Sequence, residues 1–588
     1  MRQPTPQQRA FAEHPVGAFV EACPGAGKTQ TIIDRVSLIS TRLPPRCGVA
    51  VVSFTNSAID EIRSRCQSRG LGSLLHHPGY LGTFDGFIRQ FFFSSGGLAG
   101  VDKAPVVLDS WDTLGIEVRL NGARAFRGAG VRLDLFDATS GEIDPLSIGH
   151  MGLRAHVQNN LAAYQGVAQQ CRLRLRRAGY ATMAEVRAEV VTRLQGHNWS
   201  TTLGQAIAAR FREIIIDEAQ DCNPQDCEII EWLRNTGVEV TIVTDLDQAI
   251  YGFRHGDPTR LRRISDAYAE ENRLALSGNF RSAPAICSVA ASLRGRAGID
   301  TALGEYAGVR EPFHLISYPE VMPNVQIALK FCDLMRAGNI KVEAGIILAH
   351  SKKTAMRASG SGADEEIGSS KTAEVARAVG GFWNSGTSGK AREIAVRAIE
   401  RSILDLMGKL DSGELPSRSA ERHGIDLRWL RRCALELLCC LPRACDNSDA
   451  ARTVWLAELR RQFGNLGLVV RPTTSIARYF NDRRGAEWQR LLSGADGAIV
   501  PSSTIHEAKG KEYEAVCVVI PPDRGAAGRA DQLIGHWENR TDDEAKRVIY
   551  VGVTRAKKLG ALALGRAYRD RIAAILQVLG IETRVHEL

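Results

Sequence analysis

Residues 19–31 (FVEACPGAGKTQT) restrict the fold more than any other stretch of the chain. Phe19, Val20, Glu21 and Ala22 read as a short buried strand, and Pro24, Gly25, Ala26 and Gly27 then bend the backbone tightly. Lys28 and Thr29 open a helix whose apolar residues Ile32, Ile33, Val36 and Ile39 recur at helical spacing. A glycine loop between a strand and a helix start turns several backbone N–H groups towards one point, where the positive end of the helix dipole also lies, so the loop favours a polyphosphate. Lys28 is then placed to reach the terminal phosphates and the Thr29 hydroxyl to hold Mg²⁺. Ala22 stands where the pattern GxxxxGK[ST] has its first glycine.

The rest of the chain alternates strands and helices around this loop, with two interruptions. Upstream, residues 4–10 (PTPQQRA) form a helix start in which Gln8, with one donor and one acceptor group, suits an adenine edge. Residues 49–56 (VAVVSFTN) and 81–87 (LGTFDGF) are an apolar run and a small turn that end in hydroxyls and aromatics; Phe54 is either core or a stacking platform. Residues 213–221 (EIIIDEAQD) bring two carboxylates to the tip of a buried strand. Asp217 is placed for the Mg²⁺ water shell and Glu218 to orient or deprotonate a water. The strand at 238–245 leads to Gln248, Tyr251 and Phe253, and residues 276–282 (LSGNFRS) supply Phe280 and Arg281. A guanidinium near a γ-phosphate offsets charge on its equatorial oxygens, a role open to Arg281 and, from the far end of the chain, to Arg555.

The first interruption, at about 102–205, is rich in Arg, Gly and Ala and reads as a mainly helical insertion, with a helix at 161–175. Its cluster of Arg172, Arg174, Arg176 and Arg177 faces either phosphates or solvent. The second follows a Gly- and Ser-rich connection at 357–390 and is again helical, ending before about 494.

At 588 residues the chain exceeds one core, and about four domains of ~150 residues are expected. No run reaches the ~18 apolar residues of a membrane span and the N-terminus carries no secretory pattern, so a cytoplasmic protein without membrane contact is expected. A net charge of +9 suits a polyanionic partner. The 13 cysteines include no CxxC pair, and Cys433, Cys439, Cys440 and Cys445 lack zinc-ligand spacing, so Mg²⁺ is the one metal expected.

Taken in order, TPQQRA, CPGAGKTQT, SFTNSAIDEIRSR, GTFDGF, IDEAQD, DLDQAIYGFR, GNFRS, TIHEAKGKEYE and RVIYVGVTRA resemble the motif series of UvrD/Rep-type helicases of superfamily 1. The resemblance implies an α/β fold of two RecA-like parallel-sheet P-loop domains, each with a mainly helical inserted subdomain. The first domain would comprise 1–90 and 205–275, with the insertion at 91–204; the second would comprise 276–352 and 495–588, with the insertion at 353–494. It implies ATP and Mg²⁺ as cofactors. Gln8, Pro24, Gly25, Ala26, Gly27, Lys28, Thr29, Gln30, Phe280, Arg281, Glu512 and Arg555 would bind the nucleotide. Lys28, Asp217, Glu218, Gln248, Arg281 and Arg555 would act in hydrolysis, with Thr29 and Asp217 on the metal and Glu512 on the ribose.

The same resemblance implies that Phe54, Thr55, Asn56, Thr83, Phe84, Tyr251, Phe253 and His506 touch single-stranded DNA or the tail of a duplex, with movement 3′ to 5′. Four positions depart from the family pattern: Ser57 for Lys, Asp85 for His, Leu246 for an acid and Phe253 for Trp. An acid at 85 would repel a phosphate. After Arg555, residues 565–569 (GRAYR) pass straight into a final helix where relatives have a β-hairpin that helps split the duplex. The alternative reading is therefore an ATPase subunit that binds DNA or nucleotide within a nuclease or phage-defence complex of the Gabija type, with little unwinding of its own.

Overall fold

The structure, a computed structural model, describes residues 3–94, 105–120, 126, 130–138, 140–250, 258–294, 298, 300–323, 325–360, 371–383, 389–410, 416–443, 449–472, 474–481, 492, 499–522 and 529–588. The chain divides into two compact units, Met1–Ser317 with Ile505–His586, and Tyr318–Thr504 with Glu587–Leu588.

The first unit is built on a six-stranded sheet. Its strands are β1 (Phe19–Ala22), β2 (Gly48–Ser53), β3 (Tyr80–Thr83), β4 (Phe211–Asp217), β5 (Glu239–Thr244) and β6 (Arg273–Leu276), in the spatial order β6-β1-β5-β4-β2-β3. Every neighbouring pair is parallel. Parallel strands are covered on both faces, which is why β2 and β4 are near-continuous apolar runs; Ile214, Ile215 and Ile216 are wholly buried. Helices α1 (Pro6–Glu13), α2 (Lys28–Ser40) and α3 (Asn56–Ser68) begin where the sequence supplies caps. Thr5 and Gln8 close a capping box around α1, and the Thr55 hydroxyl accepts from the Ala58 N–H at the start of α3.

One buried charge ties these layers together. Arg35 on α2 donates to Glu213 on β4 at 2.9 Å, and to the carbonyls of Phe11, His14 and Val16 at 2.8–2.9 Å. Thr241 also donates to Glu213. Burial pushes the Glu213 carboxyl up against the pull of Arg35. Removing either partner would strand the other, so the pair locks α2 and the chain entering β1 onto the sheet.

The insertion between β3 and β4 is helical over Met151–Asn159, Leu161–Arg177, α4 (Met183–Leu194) and His197–Arg210. It also holds strands that apolar periodicity does not announce. Val106–Leu108 pairs in parallel with Tyr180–Thr182, and Glu117–Val118 pairs antiparallel with Val131–Arg132. Trp111, Leu133, Val157 and Tyr164 are at the centre of its own apolar core. Its arginine cluster divides: Arg172 donates to backbone carbonyls and Arg176 pairs with Glu189, while Arg174 and Arg177 are exposed.

Beyond β6, the first unit contains residues 313–317 of β7 (Phe313–Tyr318) and the parallel pair β8 (Tyr513–Val519) with β9 (Ala556–Gly565). The fold is thus α/β with two RecA-like parallel sheets. Helix α5 (Glu544–Val553) leads into β9, and β9 passes directly into the helix Arg566–Val578.

In the second unit, Gly345–Ala349 pairs in parallel with Ser502–Thr504. Helices Lys371–Trp383, Gly389–Leu406, Leu427–Cys440 and Asp449–Asn465 enclose an apolar core that includes Val379, Ile399, Leu437 and Leu459. Cys433 is buried there and Cys439 and Cys440 are exposed, whereas Cys445 lies outside the described residues. Among the described residues no helix is long and apolar enough to cross a membrane.

Candidate active site

The loop at 23–27 leaves β1 and enters α2 through two left-handed glycines, Gly25 at φ 71° and Gly27 at φ 74°. The first also needs room. A Cβ on Gly25 would lie 2.6 Å from the Arg281 Cβ, because the Phe280 N–H donates to the Gly25 carbonyl at 2.8 Å. The loop is thereby bonded to the segment that carries Phe280 and Arg281. Gln8 reaches the loop from α1. Its Nε2 donates to the Ala26 carbonyl at 2.9 Å, which braces the loop, and its Oε1 accepts from the Thr5 N–H at 3.0 Å, which closes the capping box of α1. Gln30 likewise donates to Asp34, one turn along α2, at 2.9 Å.

At the tip of β4, Lys28 Nζ stands 3.2 Å from Glu218 Oε1. Glu218 adopts a left-handed backbone at φ 56°, a conformation that costs a non-glycine residue energy and recurs at functional sites. Gln220 donates to Glu218 while its own Oε1 accepts from Thr244 Oγ1 and from the Asp245 N–H, which fixes the Glu218 side chain. Burial opposes the Glu218 charge, but Lys28 and then Lys509 outweigh it and hold its pKa below the usual carboxylate range. Asp217 behaves oppositely. Burial, reinforced by the Glu218 charge, pushes its carboxyl up to about 7. Its Oδ1 is buried with no hydrogen-bond partner among the described residues. An orphaned carboxylate oxygen that shares a cleft with the Thr29 hydroxyl matches the hard-oxygen donor set of Mg²⁺.

The opposite wall brings two arginines and a glutamine together. Gln248 donates to Asp245 Oδ2 at 2.8 Å and accepts from Arg555 Nη2 at 3.2 Å. Arg555 is buried, and burial, with the Arg281 charge beside it, lowers its pKa to about 10. Arg281 donates to Glu512 at 2.6 Å and to the Thr554 carbonyl at 3.1 Å. Glu512 also pairs with Lys557 at 3.1 Å. A cleft of about 400 Å³ results, lined by Gly25, Lys28, Thr29, Asp217, Glu218, Gln248, Phe280, Arg281, Glu512 and Arg555 among others. Both walls belong to the first unit.

The residues expected on DNA separate into groups. Ser53 and Thr83 are register partners, so the tips of β2 and β3, with Thr55, Asn56 and Thr83, lie side by side. The Thr83 hydroxyl accepts from the Gly86 N–H. Phe54 is half-buried, 5.1 Å from the Phe84 ring. Phe84 itself is wholly buried in the core, so it presents no face to a strand and supports Phe54 from behind. His506 Nε2 lies 3.2 Å from the Ile250 carbonyl. Tyr251 and Phe253 fall outside the described residues.

Two groups escaped sequence reasoning. Lys509, in the AKG of the motif at 504–513, donates to both oxygens of Asp221 at 2.5 and 2.8 Å and lines the cleft. Arg294 donates to Asp300 at 2.9 Å and to the Tyr550 hydroxyl at 3.0 Å, and that hydroxyl donates to Asp245 at 3.1 Å. The lysine sits inside a motif and was legible from its spacing. Arg294 belongs to no motif, and nothing local marks it.

Two family models match this chain: the UvrD/REP helicase N-terminal domain over residues 4–269 and the UvrD-like helicase C-terminal domain over 489–564. A protein of Mycobacterium tuberculosis named ATP-dependent DNA helicase UvrD2 is 24% identical over 597 residues, covering 94% of this chain and 77% of that protein. DNA helicase II of Escherichia coli is 27% identical over 297 residues, covering 49% of this chain and 39% of its own length. The ATP-dependent DNA helicase srs2 of Schizosaccharomyces pombe is 25% identical over 301 residues, covering 46% and 32% respectively.

Proposed function

The chain belongs to the UvrD/REP helicase family and is by that membership an ATP hydrolase, and we propose that it spends ATP on moving along single-stranded DNA, 3′ to 5′. The observation that carries this reading is the single cleft shared by Lys28, Asp217, Glu218, Gln248, Arg281 and Arg555.

The chemistry follows from the contacts. Lys28 pairs with Glu218. A triphosphate seated on the loop N–H groups competes for that ammonium, and Glu218 is released to accept a proton at Oε1 from the attacking water. Thr29 and Asp217 would hold Mg²⁺, which when bound would supply positive charge against the phosphates. Arg281 and Arg555 face the charge that spreads over the transferred phosphoryl group, and Gln248, bonded to Arg555, registers its presence. Loss of that phosphate removes the anion on which both walls converge, so the walls part and the stacking sites shift along the strand.

A second reading rests on one feature, the direct passage of β9 into the helix Arg566–Val578 in place of a strand-splitting hairpin. It makes the chain an ATPase that relies on a nuclease or defence-complex partner for unwinding. Strand displacement on 3′-tailed and 5′-tailed duplexes, run beside ATP hydrolysis with and without single-stranded DNA, separates the two. The first reading expects DNA-stimulated hydrolysis and displacement from the 3′ tail. Stimulated hydrolysis without displacement from either tail favours the second, and hydrolysis indifferent to DNA refutes both.

A further inference from the structure

Asp85, the acid that replaces the family's histidine, does not stand alone. Arg187 on α4, in the insertion, donates through Nη2 to Asp85 Oδ1 and through Nε to Asp226 Oδ1 at 2.7 Å. The two acids are unequal. The Asp226 side chain is 2% exposed, and its other oxygen accepts from the Asn223 N–H at 3.1 Å, so it is a fixed buried anchor. The Asp85 side chain is 43% exposed. Among the described residues Arg187 Nη1 has no hydrogen-bond partner, and that nitrogen is not among the buried unsatisfied atoms. Asp85 lies two residues past Thr83 at the tip of β3, beside the tip of β2 that carries Thr55 and Asn56. Ligands of open parallel sheets bind outside such carboxyl ends.

We propose that Arg187 is a phosphate-contacting residue for the single strand, and that Asp85 is an internal acceptor which the strand's phosphate displaces. A guanidinium held by one buried carboxylate keeps its remaining donors oriented, and a half-exposed carboxylate is the weaker of its two partners. The departure at 85 then changes how the strand is met. The donor comes from the insertion, and the acid holds it in readiness. This rests on the reading of the chain as a single-strand translocase.

The test is single-strand affinity of the full chain across salt concentrations, by fluorescence anisotropy with a labelled oligonucleotide. Arg187→Gln is expected to weaken binding about 10-fold, the scale of a hydrogen bond to a charged group. It should also flatten the slope of log affinity against log salt by about 0.7, one phosphate contact on a single strand. Asp85→Asn, which removes the competitor and keeps the shape, is expected to tighten binding by about 3-fold. A folded Arg187→Gln protein with wild-type affinity and slope overturns the proposal. So does an Asp85→Asn protein whose affinity is unchanged or lower, and that arm decides alone if Arg187→Gln fails to fold. Wild-type protein that binds no single strand at all overturns the translocase reading and this inference together, whereas normal wild-type binding with unaltered variants overturns this inference only.

Discussion

Glu218 illustrates how much of the chemistry resides in single residues. Its left-handed backbone, the Gln220 amide and the Lys28 ammonium together fix the ionised carboxylate that we propose takes a proton from the attacking water. Lys28→Ala and Glu218→Gln should each lower DNA-stimulated ATP turnover by at least ~10²-fold, measured as phosphate release, with melting temperatures close to wild type. Asp217 carries a pH dependence of definite sign. Burial raises its carboxyl from an ordinary value of about 3.9 to about 7, so over that interval the folded chain holds a proton that the unfolded chain has released. This contribution to metal-free stability is therefore unfavourable to folding as pH rises through the interval. Mg²⁺ requires the ionised form. Mg²⁺–nucleotide binding should strengthen with pH up to about 7 and release protons, which calorimetry in two buffers of different ionisation enthalpy would register. Affinity that is flat across this range would contradict the assignment of Asp217 to the metal.

At the scale of elements, the turn between β1 and α2 matters because two other segments lean on it. Gly25 meets the Arg281 backbone side and Gly27 the Gln8 amide, so the loop is shaped from outside as well as by its own glycines. Gly25→Ala should cost about 2 kcal/mol, from a left-handed backbone together with a crowded Cβ, and should weaken nucleotide binding. Thermal melts and a nucleotide titration would read the two effects separately. The strand–turn–helix grammar of this region was legible because strand propensity, glycines and helical periodicity all fall within thirty or so residues. The small strand pairs of the insertion were not. Val106–Leu108 meets Tyr180–Thr182 across a long intervening segment, and a strand of three residues has too few side chains to display a period.

Across the molecule, the chain Arg294–Tyr550–Asp245–Gln248–Arg555 joins elements from three separated parts of the sequence along one wall of the cleft, and the Asp245 N–H, which donates to the Gln220 that holds Glu218, ties it to the other wall. Tyr550→Phe deletes the central hydroxyl and leaves Arg294 and Asp245 each short of a partner. It should cost about 1–3 kcal/mol in stability. It should also lower DNA-stimulated turnover more than basal turnover, if coupling between the walls is what DNA stimulates. Equal losses in both rates would assign Tyr550 a structural role alone.

The sequence by itself determined where Lys28, Thr29, Asp217 and Glu218 gather, because each sits at the tip of a recognisable strand or helix and the parallel-sheet topology sends those tips to one side. Tertiary structure alone decided which of these groups are engaged and by whom. Gln8 braces the loop through the Ala26 carbonyl while it caps α1 through Thr5, and Phe84 is core because the sheet closes over it. Asp85 is held by an arginine from the insertion rather than confronting a phosphate unaided. Such pairings depend on distances between residues remote in the chain, and local pattern carries no trace of them until packing has brought the partners within a hydrogen bond's reach.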